Sequence, residues 1–261
     1  MDKQGLLLCA KYAVSPNFFG YCGLDKNSNL VDHLRENVGD REVASILSDF
    51  ETLYPYLQLI ARQNKINDPF DRRVVEAYWI GNSLLKPVRA VEYQAFSKEK
   101  LILDKKIPKK SFQKLLTNIS QRPFLPHHAF HVFNIFKRTG NDPSFHTLDT
   151  MNECRIGWGS ITKVQSSTLN QNKFGSGQEF KVQNEIIVKA EVLVKKERKL
   201  GLSSPIIKTL KVDYKGKRFI NNLKISDWVS FHWGYVCDVL TKRQVKNLEY
   251  YTIKAIEFYN R

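Results

Sequence analysis

The sequence predicts an α+β chain: an all-helical domain over residues 1–143, then a small β-rich domain over 150–261 that ends on a helix. Three observations predict it. Apolar residues recur at three- and four-residue steps through the first half. Asn141-Asp142-Pro143, just after Gly140, is breaker chemistry and marks the boundary. Beyond it, short β-favouring runs alternate with Gly, Asn, Ser and Lys clusters, the pattern of a small barrel or sandwich.

Taken in order, "DREVASILSDFETLYPYLQLIARQN" has helical spacing in Val43, Ile46, Leu47, Phe50, Leu53 and Leu57, and Pro55 is expected to kink or divide it. In "DPFDRRVVEAYWIGNSLL", Asp68 reads as an N-cap, Pro69 as the first helical residue, and Asp71 as a carboxylate at the positive helix end. Val74, Val75, Tyr78, Trp79 and Leu85 form its core face. Further helices are expected in "PVRAVEYQAF", "KKSFQKLLTNI" and "HHAFHVFNIF". Strands are expected in "RIGWGSITKV", "NEIIVKAEVLV", "PIIKTLKVDY" and "KRFINNLKI", with "SSTLNQNKFGSGQEF" as a hairpin loop. "SDWVSFHWGYVCDVL" reads as a strand and turn. The last segment starts with a Thr241/Gln244 capping box, and its stripe runs through Val245, Leu248, Thr252, Ala255 and Tyr259.

With 261 residues, 42% hydrophobic and 26% charged, the chain has globular rather than disordered usage. No apolar run approaches the ~18–20 residues of a membrane span, and "GLLLCAKYAV" has neither the length nor the cleavage site of a signal peptide. A cytoplasmic protein with no membrane partner is expected. Cys9, Cys22, Cys154 and Cys237 are far apart, without CxxC or zinc-finger spacing, and a disulfide framework is not expected. The net charge of +15 raises the possibility of a nucleic-acid partner. Its basic runs, "LDKKIPKK", "LVKKERK" and "DYKGKRF", carry few aromatics and no recognition motif. Solvated lysines, or a dock for an acidic protein, account for them better.

In the helical half, His127 and His131 have the i,i+4 spacing of a metal clasp, with ring packing as the plainer alternative. Cys9 and Cys22 flank a Pro/Gly-containing loop that offers a two-thiol site. Cys237 lies between apolar Val236 and nearby Val239 and reads as packing.

"CRIGWGSITKV" and "DWVSFHWGYVCDVLTKRQ" together resemble the HypC/HupF family of [NiFe]-hydrogenase maturation chaperones. Cys154, Ile156, Gly159 and Val164 stand where that family has its opening cysteine, apolar residue, glycine and strand end. Asp227, Trp228, Val229, His232, Gly234, Tyr235 and the helix from Thr241 stand where it has its later signature. The likeness covers about residues 152–261. It implies an OB-like β-barrel that holds an Fe(CN)2(CO) unit through Cys154 and His232, with a HypD-like scaffold and the hydrogenase large-subunit precursor as partners. Thiolate and imidazole suit such low-spin iron. Gly157 and Gly159 are expected to leave room beside Cys154, and Trp158 and Trp233 to wall the site or anchor a partner. The family cysteine follows the initiator methionine, whereas Cys154 is internal. The helical half, through "CAKYAVSPNFFGYCG", "DPFDRRVVEAYWIGN" and "PHHAFHVF", is similar to an uncharacterised prokaryotic family.

Three function classes follow. A maturation accessory protein, not an enzyme, is the leading expectation. An enzyme with its site in the helical half would draw on the histidines and cysteines there and on Asp68 and Glu76, although no triad or phosphate loop is evident. A basic OB-like nucleic-acid-binding protein comes third.

Overall fold

Helix α1 (Lys3–Phe18) is the element against which both halves pack. Asp2 caps it by accepting from the Gln4 and Gly5 N–H groups, an arrangement that stabilises a helix by about 1 kcal/mol. The computed structural model describes residues 1–23, 27–135, 147–169 and 180–261. The expected boundary at 141–143, and most of the expected hairpin loop at 166–180, lie outside the described residues.

Around α1 stand α2 (Asn27–Arg35), α3 (Arg41–Ser48), α4 (Leu53–Gln63) and α5 (Arg72–Trp79). The 41–63 segment is divided as expected, but the break falls at 49–52 rather than at Pro55. Pro55 sits in the first turn of α4, where its missing N–H has no intrahelical partner to lose. Helix α5 also starts later than its sequence suggests. Asp71, not Asp68, is its N-cap, and Asp68 instead accepts from Phe70 N–H and Asp2 N–H. Beyond it come α6 (Ala90–Glu99), α7 (Leu103–Lys106) and α8 (Lys109–Gln121). The stretch "HHAFHVFNIF" is not one regular helix: α9 (His128–Phe130) passes into a π-turn at His131–Ile135.

Helix α10 (Leu148–Cys154) leads into the sheet region: β1 (Gly157–Leu169), β2 (Phe180–Ala190), β3 (Leu193–Lys196), β4 (Lys199–Leu202), β5 (Ile206–Lys211), β6 (Trp228–His232) and β7 (Tyr235–Leu240). The strands β1-β2-β5-β7-β6 form a closed ring, with β6 pairing back to β1, while β3 and β4 make a separate ribbon. The expected strand at 217–225 is absent. That stretch carries one isolated bridge, Tyr214 to Lys217, and packs Ile220 and Leu223 into the barrel from a loop. The β6–β7 hairpin turns on Trp233 and Gly234, both at positive φ, the backbone that a two-residue turn between twisted strands requires.

Helix α11 (Lys242–Tyr259) closes the chain with both halves of its capping box formed, and Leu248, Thr252 and Ala255 are buried as their spacing predicts. It packs against the helical half rather than into the barrel. Tyr251 donates to the Asn82 carbonyl (2.6 Å), and Asn134 donates to the Ala255 carbonyl (3.2 Å). A side chain at Gly81 would meet the Tyr251 ring 2.0 Å away, so glycine is what allows this approach. One hydrophobic cluster therefore runs from Leu6 to Phe258, while a second, smaller one fills the barrel. Among the described residues no helix is long and apolar enough to cross a membrane.

Candidate functional site

Cys154 and His232, 78 positions apart in sequence, meet in the structure. Together with His128 they form a group whose ligand atoms all lie within 4.8 Å of one another. Cys154 ends α10, His232 ends β6, and His128 opens α9, so each donor sits where a regular element stops. All three are buried. They line a cavity of about 240 Å³ together with Tyr78, Trp79, His131 and Cys22. Asp49 and Glu51 stand on the same lining, both exposed. Among the described residues no Lys or Arg lines it, in a chain with 41 of them against 26 acids.

The state of each ring follows from its neighbours. His232 Nδ1 lies 2.8 Å from the Tyr12 carbonyl, which can only accept, so Nδ1 carries the proton. That carbonyl is available because of α1's own sequence. Its helical partner would be the N–H four residues on, at position 16, which is Pro16 and has none. The Nε2 of His232 is buried without a hydrogen bond of good geometry, with the Cys154 backbone beside the ring. A histidine whose far nitrogen is fixed by a carbonyl while the near one makes no such bond is set up to ligate a metal.

His128 is more constrained. Its Nε2–H donates to the Cys154 carbonyl (2.8 Å), and its Nδ1 accepts from the Tyr78 hydroxyl (3.1 Å). Binding an ion through His128 requires the Tyr78 hydroxyl to turn away or the ring proton to move; His232 requires neither. Burial keeps every member neutral. It lowers the His232 pKa to about 4 and takes His128 well below its ordinary value, with the neighbouring His232 adding to the effect. The Cys154 thiol is pushed well above its ordinary range, first by burial and then by Cys22. A metal ion would have to displace the thiol proton, so loading should weaken as pH falls.

Other expected site residues lie elsewhere. His127 is the N-cap of α9, its Nδ1 accepting from Ala129 N–H, and its ring stacks on Tyr251. His131 turns its Nδ1 to the Tyr56 hydroxyl (3.2 Å). The i,i+4 clasp does not form: the His131 N–H does donate to the His127 carbonyl (3.2 Å), but the two rings are committed to different partners, His127 to Ala129 N–H and Tyr251 and His131 to Tyr56. Cys9 does not flank a loop. It lies within α1, which continues through Pro16, and burial raises its pKa to about 12. Cys22 alone of that pair lines the cavity. Cys237 is fully buried, with its thiol toward the Tyr235 carbonyl.

The glycines do not open space for a ligand. A Cβ at Gly157 would meet the Phe231 ring at 2.2 Å, and one at Gly159 the Lys189 carbonyl oxygen at 2.9 Å, so they serve strand packing. Trp158 is buried beneath the Arg155 guanidinium (5.2 Å), and Trp233 lies against Tyr21 (4.3 Å); the tryptophan on the cavity wall is Trp79. Neither Asp68 nor Glu76 reaches the cavity lining, and Glu76 accepts from Gln244. Sequence reasoning missed His128, which has no periodic signal, and the buried Arg155, which donates to the Glu191 carbonyl and whose pKa burial lowers only to about 10.

The whole chain, residues 1–261, matches the model of a family of unknown function, DUF6390. The chain belongs to that family. No curated protein and no solved structure matches it. In this DUF6390 chain the match spans the helical and β parts alike, and the three donors come from both.

Proposed function

We propose that this protein is a metal-holding accessory factor of the HypC kind, which keeps an Fe(CN)2(CO) unit on His128, Cys154 and His232. The observation that carries this reading is the buried Nε2 of His232 beside the Cys154 thiol, on a cavity that no cationic side chain among the described residues lines. Low-spin iron is six-coordinate, and three diatomic ligands leave one face open. One thiolate and two imidazoles supply the three donors that face needs. The ring of strands is, on this reading, an OB-like barrel, with HypD-like and large-subunit precursor proteins as partners and the cytoplasm as its compartment.

The burial of Cys154 distinguishes this protein from a carrier with a terminal cysteine. Cargo behind Tyr78 and Trp79 is guarded, and its release requires the cavity to open. Anaerobically isolated protein is expected to show cyanide and carbonyl infrared bands and to co-purify with such partners. Cys154→Ser and His232→Ala should each abolish the bands. Protein without bands in wild-type form, recovering neither partner, would overturn the proposal.

A second reading, an enzyme using this cavity, is favoured by Cys22 and His131 on its wall. The chemistry opposes it. Nucleophilic cysteines act as thiolates, and burial raises the Cys22 pKa to about 11 and that of Cys154 well above its usual value. Alkylation by iodoacetamide that is fast at pH 7 at either cysteine would favour the enzyme.

A further inference from the structure

We infer that the same cavity also takes a bare tetrahedral divalent cation of the zinc class, with Cys22 as the fourth donor beside His128, Cys154 and His232. This rests on the reading that the inner group ligates metal. It adds a second cargo and a ligand from the cavity mouth.

Three observations carry it. Cys22 lines the same cavity as the three inner donors, which lie within 4.8 Å of one another, and it stands outside that group at the half-buried end. Cys22 follows Tyr21 and precedes Gly23; Gly20 and Gly23 are both at positive φ, with open space at Gly20 and the Phe50 ring packed against Gly23. The turn backbone is held by the Tyr21 and Cys22 N–H groups, both donating to the Pro16 carbonyl (2.8 and 3.4 Å), and by Asn17 donating to the Cys22 carbonyl (2.9 Å), and none of these bonds engages the Cys22 thiol. Finally, Asp49 and Glu51 at the exposed rim give a cation a favourable approach in a protein that otherwise repels it.

Charge decides how many thiols are needed. A divalent ion on one thiolate and two imidazoles carries a net charge of +1, and among the described residues no carboxylate stands beside the inner donors. Leaving such a charge uncompensated is costly. A second thiolate makes the complex neutral, and two cysteines with two histidines is a common tetrahedral zinc set. The balance is one divalent ion and two thiols giving one bis-thiolate complex and two protons, which pass to solvent. The iron unit would not recruit Cys22, because its three diatomic ligands already complete six positions.

Cobalt(II) is the probe, added anaerobically to the full chain, with thiolate-to-cobalt charge-transfer absorption and protons released per ion as readouts. The expected result is two thiolates and two protons in the wild type. In both Cys22→Ser and Cys154→Ser the expected result is one thiolate and one proton, and His127→Ala should leave the wild-type values. One thiolate and one proton in the wild type, unchanged by Cys22→Ser, overturns the role of Cys22 and leaves the inner site standing. No binding by the wild type overturns both. The wild-type proton count alone decides the matter should a variant fail to fold.

Discussion

The barrel interior and the core beside it are built from different chemistry. Ile161, Ile186, Val188, Leu210, Val229, Phe231 and Val236 fill the barrel, without a titratable side chain. The larger core buries His127, His128, His131 and His232 with Cys9, Cys154 and several tyrosines. The difference teaches where to look for chemistry in this protein. The barrel interior serves as an apolar scaffold, whereas the titratable groups collect on the seam where α1, α9 and α10 meet the end of β6.

Acid should separate the two regions most strongly. Burial lowers the pKa of His127 and His131 to about 3 and of His232 to about 4, and takes His128 well below its usual value. In the unfolded chain these groups protonate near pH 6.5. The unfolded state therefore binds more protons below that pH, and stability falls as pH falls from about 6.5 toward 4. Each histidine contributes up to roughly 1.4 kcal/mol per pH unit in that window, so four together remove on the order of 5 kcal/mol per pH unit. Near-ultraviolet circular dichroism should report loss of packing before pH 4 is reached. An unchanged spectrum at pH 4 would erase the distinction between the cores.

Ile186→Ala tests the opposite region. It should cost about 2–5 kcal/mol in urea denaturation, as large-to-small changes in packed cores do, while metal loading of the folded fraction stays as it was. Pro16→Ala should split stability from function in the other direction. It restores an N–H that competes with His232 for the Tyr12 carbonyl. Stability should rise, by less than the ~3 kcal/mol penalty of an interior proline. Metal affinity should fall by about 10–100-fold, as when a group that orients a ligand is removed. Thr241→Ala, at the α11 cap, should cost about 1 kcal/mol with no effect on metal, measured by the same two assays.

The legible parts of the sequence were those governed by local rules. The α11 capping box, its buried stripe and the β6–β7 turn follow from neighbouring residues. The meeting of Cys154 with His232 came from motif resemblance rather than from periodicity, since nothing local joins positions so distant. His128 escaped because helical spacing was applied to a stretch that is part cap, part single turn and part π-turn. Pro16 read as an interruption between Cys9 and Cys22. In the fold α1 runs through it, and the missing hydrogen bond becomes the fixed point for His232. No sequence rule says which distant donor a freed carbonyl will find.

The donors' order along the polypeptide sets a timetable. Residues 12, 128 and 154 are synthesised well before 232, yet the Nε2 lone pair that completes the group is brought into place only once β6 has paired and its ring has found the Tyr12 carbonyl. A nascent chain on the ribosome thus has no assembled donor group, and on the proposed reading any metal would be loaded after translation has passed the hairpin.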